Sequence, residues 1–177
     1  MENLFIFRVI RDIRNLILSL IPKSLAARQK ALKNLTKNKL IKKTSIDSLE
    51  RLHVITRNLY VQIDGVNKIA GQYEIMIDFR RSYIPTQILN LSQRYGNLDS
   101  PTIKDTKPCW GNIDIEVKKA WATRDIEGLV DTILYYIVSP KDTHGYGKWK
   151  GWFKYTKPVK RGYSMEKYEH GIEDLQV

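Results

Sequence analysis

The apolar positions of residues 3–22, NLFIFRVIRDIRNLILSLIP, recur at steps of three and four: Ile6, Val9, Ile10, Ile13, Leu16, Ile17 and Leu20, with Arg8, Arg11, Asp12, Asn15 and Ser19 gathered opposite. This spacing predicts an amphipathic helix ended by Pro22, whose apolar face must be covered by its own domain, a sister subunit or a bilayer interface. A second helix is predicted over KSLAARQKALKNLTKNKLIKK, with Ser24 as N-cap and only Leu25, Leu32, Leu35 and alanines as its apolar stripe. So thin a stripe reads as a weakly docked arm.

From about residue 50 the period changes. LHVITRNLYVQID and GQYEIMIDFRR flank a turn containing Gly65, Asn67 and Gly71. In the second run Tyr73, Ile75, Ile77 and Phe79 alternate with Glu74, Met76, Asp78 and Arg80, which predicts a hairpin with one buried face. YIPTQILNLSQRYGN reads as a helix with Pro85 in its first turn, Ile88, Leu91 and Tyr95 on one side and Gly96 as its stop. Residues 97–110 carry Pro101 and Pro108 without periodicity and read as a loop. GNIDIEVKKAW alternates again, predicting a strand with Ile113, Ile115, Val117 and Trp121 inward. Thr123 then caps a helix with Asp125 and Glu127 in its first turn and Ile126, Leu129, Val130, Ile133 and Leu134 packed on the sheet. YYIVSP and GKWKGWFKYT around the turn-rich KDTHGYG read as a closing hairpin, with Trp149, Phe153 and Tyr155 on its core face and Lys148, Lys150, Trp152 and Lys154 on its exposed face.

Together these elements predict an α+β fold, a small antiparallel sheet packed by two or three helices, with an N-terminal basic helical arm. The divisions are an arm over 1–43, a core domain over 44–163 ending in a basic aromatic hairpin, and an acidic tail over 164–177.

Charge sharpens this division. The net charge of +11 is uneven: residues 1–43 hold eleven Lys and Arg against Glu2 and Asp12, residues 58–140 hold nine against ten acids, and residues 141–163 hold seven against Asp142. Two cationic blocks on a near-neutral globule suit a polyanionic partner, either nucleic acid or an acidic membrane face; solvated arms without a partner share the pattern. The candidate contacts are Arg28, Lys30, Lys33, Lys37, Lys39, Lys42 and Lys43 in the arm, and Lys148, Lys150, Trp152, Lys154, Lys157, Lys160 and Arg161 near the C-terminus. Aromatics interleaved with cations can stack on unpaired bases while the cations track phosphates. Ile6, Arg8, Ile10, Arg11, Ile13, Arg14 and Ile17 form the candidate membrane or self-association face. That helix cannot span a bilayer, because charges interrupt every apolar run of about 20 residues.

Catalytic signals are few. One cysteine, Cys109, excludes an internal disulfide and reads as a packed or idle thiol, and three histidines, His53, His144 and His170, give no zinc-finger spacing. Asp142 and His144 in DTHGYG could form an acid/base pair but read more simply as a surface hydrogen bond. Asp78, Asp114 and Glu116 could hold a hard cation or pair with Arg80, Lys118 or Lys119, the simpler arrangement. No Gly-rich phosphate loop is present. The expectation is a protein that is not an enzyme, with no catalytic residue, metal, cofactor or small-molecule substrate.

In element order, small size and basic balance the chain resembles the matrix proteins of rhabdoviruses. The resemblance is one of pattern over about residues 50–156, carried by YEIMIDFRRSYIPTQILNLSQRYGN, WGNIDIEVKKAWATRDIEGLVDTILYYIVSP and GYGKWKGWFKYT. It implies a virion protein beneath the envelope, found also in host cytoplasm and at the inner membrane face, that self-associates, binds anionic membrane and condenses the nucleocapsid. A PPxY run, frequent near the N-terminus of animal-virus members, is absent; the nearby proline is Pro22. This departure puts recruitment of budding machinery in question and suits a plant-infecting member. The alternative is a single-stranded nucleic-acid-binding module using Trp149, Trp152, Phe153 and Tyr155 as platforms.

Overall fold

The computed structural model describes residues 29–80, 86–139 and 148–170. The amphipathic helix predicted over 3–22, with its face of Ile6, Arg8, Ile10, Arg11, Ile13, Arg14 and Ile17, lies outside the described residues, as do Arg28, the Asp142/His144 pair and the end of the acidic tail.

The fold is mixed α+β, as its patterning implied. Four strands, β1 (Ile41–Ile46), β2 (Arg51–Thr56), β5 (Tyr73–Asp78) and β6 (Thr86–Asn90), form an antiparallel sheet in the order β1-β2-β5-β6. Between β2 and β5 the chain inserts a separate hairpin, β3 (Leu59–Ile63) with β4 (Val66–Gly71). The LHVIT and YEIMID runs do pair, with Leu52 opposite Ile77 and Val54 opposite Ile75, but not as the expected hairpin: the first run divides into β2 and β3, and Asn67 and Gly71, expected in the turn, lie in β4. All six residues of β5 are buried, however, so both faces of the sheet are covered rather than one.

Each face has its own cover. Leu52, Val54, Ile75, Ile77 and Ile88 belong to the main core with Val117 and Trp121 of α2 (Asp114–Ala122) and Leu129, Val130, Ile133 and Ile137 of α3 (Ile126–Val138). On the other face Met76 and Leu89 pack with Val159, Tyr163 and Met165 from the C-terminal segment. That segment holds α4 (Trp149–Tyr155), a short β11 (Lys157–Pro158) and α5 (Met165–Glu169). β11 pairs with β7 (Gln93–Arg94), which follows β6.

Several sequence expectations change. YIPTQILNLSQRYGN is not a helix: it forms β6 and β7, because pairing with β5 buries Ile88, Leu89 and Asn90 in succession, and the Asn90 side chain ends β6 by accepting from the Ser92 and Gln93 N–H groups at 2.9 and 3.1 Å. Residues 97–110 are not an open loop but a three-strand meander, β8 (Leu98–Ser100), β9 (Ile103–Lys104) and β10 (Lys107–Pro108). Buried Asp99 ties this meander to β6, accepting from the N–H groups of Asn90 at 3.0 Å and Thr106 at 3.1 Å, with Arg94 Nε 3.1 Å away.

GNIDIEVKKAW is α2, preceded by a 3-10 turn at Gly111–Ile113. Its alternation fails at Ile115, which is 75% exposed, whereas Val117 and Trp121, four residues apart, are buried. Thr123 closes α2; the N-cap of α3 is Asp125, whose carboxylate accepts from the Gly128 N–H at 2.9 Å. YYIVSP belongs mostly to the end of α3.

The basic segment after Pro22 is also different. Its helix, α1 (29–35), stops at Leu35, and residues 41–46 turn into β1. Leu35 and Ile41 sit in the main core, and Asn34 and Asn38 donate to Glu127 and Asp131 of α3 at 3.0 and 2.9 Å. Two deep anchors and two side-chain bonds hold this stretch to the globule despite its thin apolar stripe.

Candidate functional site

Residues 148–161 hold the densest described run of cations and rings, and their local structure follows a 3.6-residue period. Trp149, Trp152 and Phe153 fall at i, i+3 and i+4 of α4 and point inward; Lys150 and Lys154, four apart, point outward. The three rings lie 5.2–5.5 Å apart centroid to centroid, and the Trp149 indole N–H donates to the Ser139 carbonyl at 3.1 Å. Trp152 is therefore buried at 2% exposure, contrary to the expectation that it lies among lysines in water, and Tyr155, expected in the core, is 50% exposed. A strand alternates by two; a helix does not, and that difference exchanges the two rings.

Around this aromatic core the cations lie at the surface. Lys148, Lys150, Lys154, Lys157, Lys160 and Arg161 are all exposed. Lys150 reaches Asp64 on the β3–β4 turn at 2.6 Å, an exposed pair. Lys68 of β4 stands 5.3 Å over the Phe153 ring, and Lys154 stands 5.2 Å over Tyr155. The β7–β11 ladder sets Lys157 opposite Arg94 and carries Tyr95 to within 5.4 Å of Tyr155. Tyr95 had been expected to pack inward; it is 46% exposed. The cue available beforehand was the Gly96–Asn97 pair, which suits a turn directly after a strand end.

The arm cations Lys30, Lys33, Lys37, Lys39, Lys42 and Lys43 are exposed as well, on α1, its following turn and β1. β1 is the sheet edge opposite β6.

A second polar constellation was not foreseen. Where β1, β2 and β5 meet α5, a groove of about 490 Å³ is lined by residues that include Lys43, Asp47, Arg51, His53 and Glu74. His53 Nδ1 lies 2.8 Å from Glu74 Oε1 and Nε2 lies 3.2 Å from Asp47 Oδ2. The other Glu74 oxygen accepts the Met165 N–H at 2.8 Å. Arg51 Nε donates to Asp47 at 2.6 Å, and its Nη1 reaches both Glu169 oxygens at 2.8 and 2.9 Å. Strand register creates this cluster from positions 21 residues apart, which no spacing rule announces.

With carboxylates at both ring nitrogens, His53 is satisfied only as an imidazolium. The Glu74 hydrogen bond raises its pKa above the ordinary value of 6.5, against burial and with help from Asp47. Burial pushes the Asp47 carboxyl up, but bonds from the Arg51 backbone and guanidinium, His53 and the Leu49 N–H outweigh it and hold that carboxyl well below the usual range. While protonated, the ring donates from both nitrogens and has no lone pair for base catalysis, and the bonds from the Met165 N–H to Glu74 and from Arg51 to Glu169 make the cluster an ionic clamp on α5.

The stability due to His53 is fully present below about 6.5, the unfolded value, and is lost as pH rises through the raised folded value; that due to Asp47 is present above about 3.8 and lost as pH falls through the lowered folded value. The melting-temperature gap between the parent and His53→Gln is therefore expected to be wide near pH 6 and to narrow as pH rises. A gap that widens with pH would contradict the clamp.

Other candidates separate. Asp78 bonds the Arg80 guanidinium at 2.9 Å, and Asp114 pairs with Lys118 along α2, so Asp78, Asp114 and Glu116 do not converge. Among the described residues no group of three or more His, Cys, Asp or Glu side chains could hold a metal ion, and no helix is long and apolar enough to cross a membrane. Cys109 is half-buried; its N–H donates to the Thr102 carbonyl at 2.9 Å and its carbonyl accepts the Tyr136 hydroxyl. Compared with known proteins, the chain matches no family model, no curated protein and no solved structure, so geometry alone carries its functional reading.

Proposed function

We propose that this chain is a non-enzymatic nucleic-acid-binding protein that holds the phosphate backbone along the outer side of α4, β11 and the turn that follows. The carrying observation is the division of α4, which buries Trp149 and Trp152 and leaves Lys150 and Lys154 outward, followed within seven residues by exposed Lys157, Lys160 and Arg161. Helix and paired strand set the backbone positions of these cations, so on meeting phosphates the cost is confined to ordering the side chains, about 0.5–1.5 kcal/mol each. The arm lysines supply a second cationic stretch over α1, its following turn and β1.

The matrix role implied by the rhabdovirus resemblance adds self-association, an anionic membrane and a place beneath an envelope. Those additions rest on the apolar face of residues 6–17, outside the described residues, and on an element order that differs here at β6, α2 and α4. Nucleic-acid binding needs neither, which is why it stands first.

The test is retention on immobilised heparin. The parent is expected to elute at higher salt than the Lys154→Glu/Lys157→Glu/Lys160→Glu variant, because each lost phosphate-type contact lowers the salt dependence of binding. Cys109→Ser is expected to elute with the parent; its loss of binding would bring the thiol into the function. A parent that passes through at low salt would refute the proposal.

A further inference from the structure

We infer that the exposed Tyr95–Tyr155 pair is a base-stacking platform, so that the ligand of the α4–β11 surface is single-stranded nucleic acid rather than duplex; this rests on the nucleic-acid reading above and names its ligand class. The two rings come from different parts of the chain, Tyr155 from the last position of α4 and Tyr95 from the residue after β7. The β7–β11 ladder holds them together, with centroids 5.4 Å apart and planes tilted by 30°. Both keep about half of their surface in water, at 46% and 50% exposure.

A single exposed tyrosine is ordinary. A fixed pair beside cations is more specific. Lys154 stands 5.2 Å over the Tyr155 ring, and Lys157, two residues beyond, is exposed opposite Arg94. A base that takes the Tyr155 face under Lys154 would turn that ammonium group towards the adjoining phosphate, and Lys157 follows two residues on, the combination of ring and cation by which single-strand binders work without reading sequence. Paired bases keep their faces covered by their neighbours, so a duplex would gain from the lysines but not from the tyrosines. The rings buried in α4 cannot serve, since Trp149 and Trp152 are each only 2% exposed.

The experiment compares four probes by competition and direct titration: an oligouridylate of about 12 nucleotides, an RNA duplex of equal length, heparin and phosphatidylserine vesicles. The Tyr95→Leu/Tyr155→Leu variant is expected to lose roughly ten-fold in oligouridylate affinity, as base–aromatic contacts usually supply, while its heparin elution and melting temperature stay with the parent. Tyr95→Phe/Tyr155→Phe, which keeps both ring faces, is expected to bind like the parent and guards against a folding defect in the leucine variant. Unchanged oligouridylate affinity with heparin binding intact would overturn the platform and leave the nucleic-acid reading standing, as would equal loss on the duplex. Failure of the parent to bind any probe would overturn both. Binding to phosphatidylserine vesicles that disappears with the same leucine changes would overturn the platform in favour of a lipid surface.

Discussion

Trp152→Ala is expected to lower the melting temperature by roughly 6–20 °C, the shift that a loss of about 3–5 kcal/mol gives in a protein of this size. The indole is 2% exposed and lies against Trp149 at 5.3 Å and Phe153 at 5.2 Å, so its removal leaves a cavity lined by rings that cannot collapse into it. Trp149→Ala should cost as much, since it also gives up the indole bond to Ser139. Tyr155→Ala, at a half-exposed site, should stay within about 0.5 kcal/mol. Differential scanning calorimetry of the three variants distinguishes this helix from a strand of the same sequence, in which Trp152 would be the neutral one and Tyr155 the costly one.

Glu74→Ala is the second large effect, about 3–5 kcal/mol, because it leaves a charged partner in a largely enclosed site. The side chain is 8% exposed and serves two groups at once, the His53 ring at 2.8 Å and the Met165 N–H at 2.8 Å. Its loss should therefore loosen α5 before the rest of the sheet, and the Met165 amide should exchange with solvent faster by more than its neighbours in β5. Pairing the change with His53→Leu, as Glu74→Met/His53→Leu, removes the stranded charge and should recover much of the stability. Urea titration with amide exchange checks both statements; a double variant no more stable than Glu74→Ala would contradict the stranded-charge account.

The class of the fold was legible from the change of period near residue 50, and the partnership of β2 with β5 from two β-branched runs. Two of the misread elements share one physical cause. Short segments with alternating hydrophobic residues read as strands, although GNIDIEVKKAW also spaces Ile113, Val117 and Trp121 by four and KWKGWFKY spaces its rings at i, i+3 and i+4. Over a few residues both periods fit, and length decides poorly. YIPTQILNLSQRYGN failed in the opposite sense: its helical spacing yielded to pairing with a central strand. The cations at 148–161 were legible as a cluster, but the tyrosine pair beside them was not, because Tyr95 and Tyr155 meet only through β7–β11 pairing. The His53 clamp was hidden for the same reason, since register alone brings Glu74 and Asp47 to one ring.

The most direct test of the nucleic-acid role is the salt dependence of oligouridylate binding, followed by fluorescence anisotropy for the parent and for the Lys154→Glu/Lys157→Glu variant. Binding by the parent is expected to weaken linearly in the logarithm of salt concentration, and the variant to lose affinity together with about 0.7 in slope for each phosphate contact removed. Binding that ignores salt, or a variant whose slope and affinity equal the parent's, would contradict it.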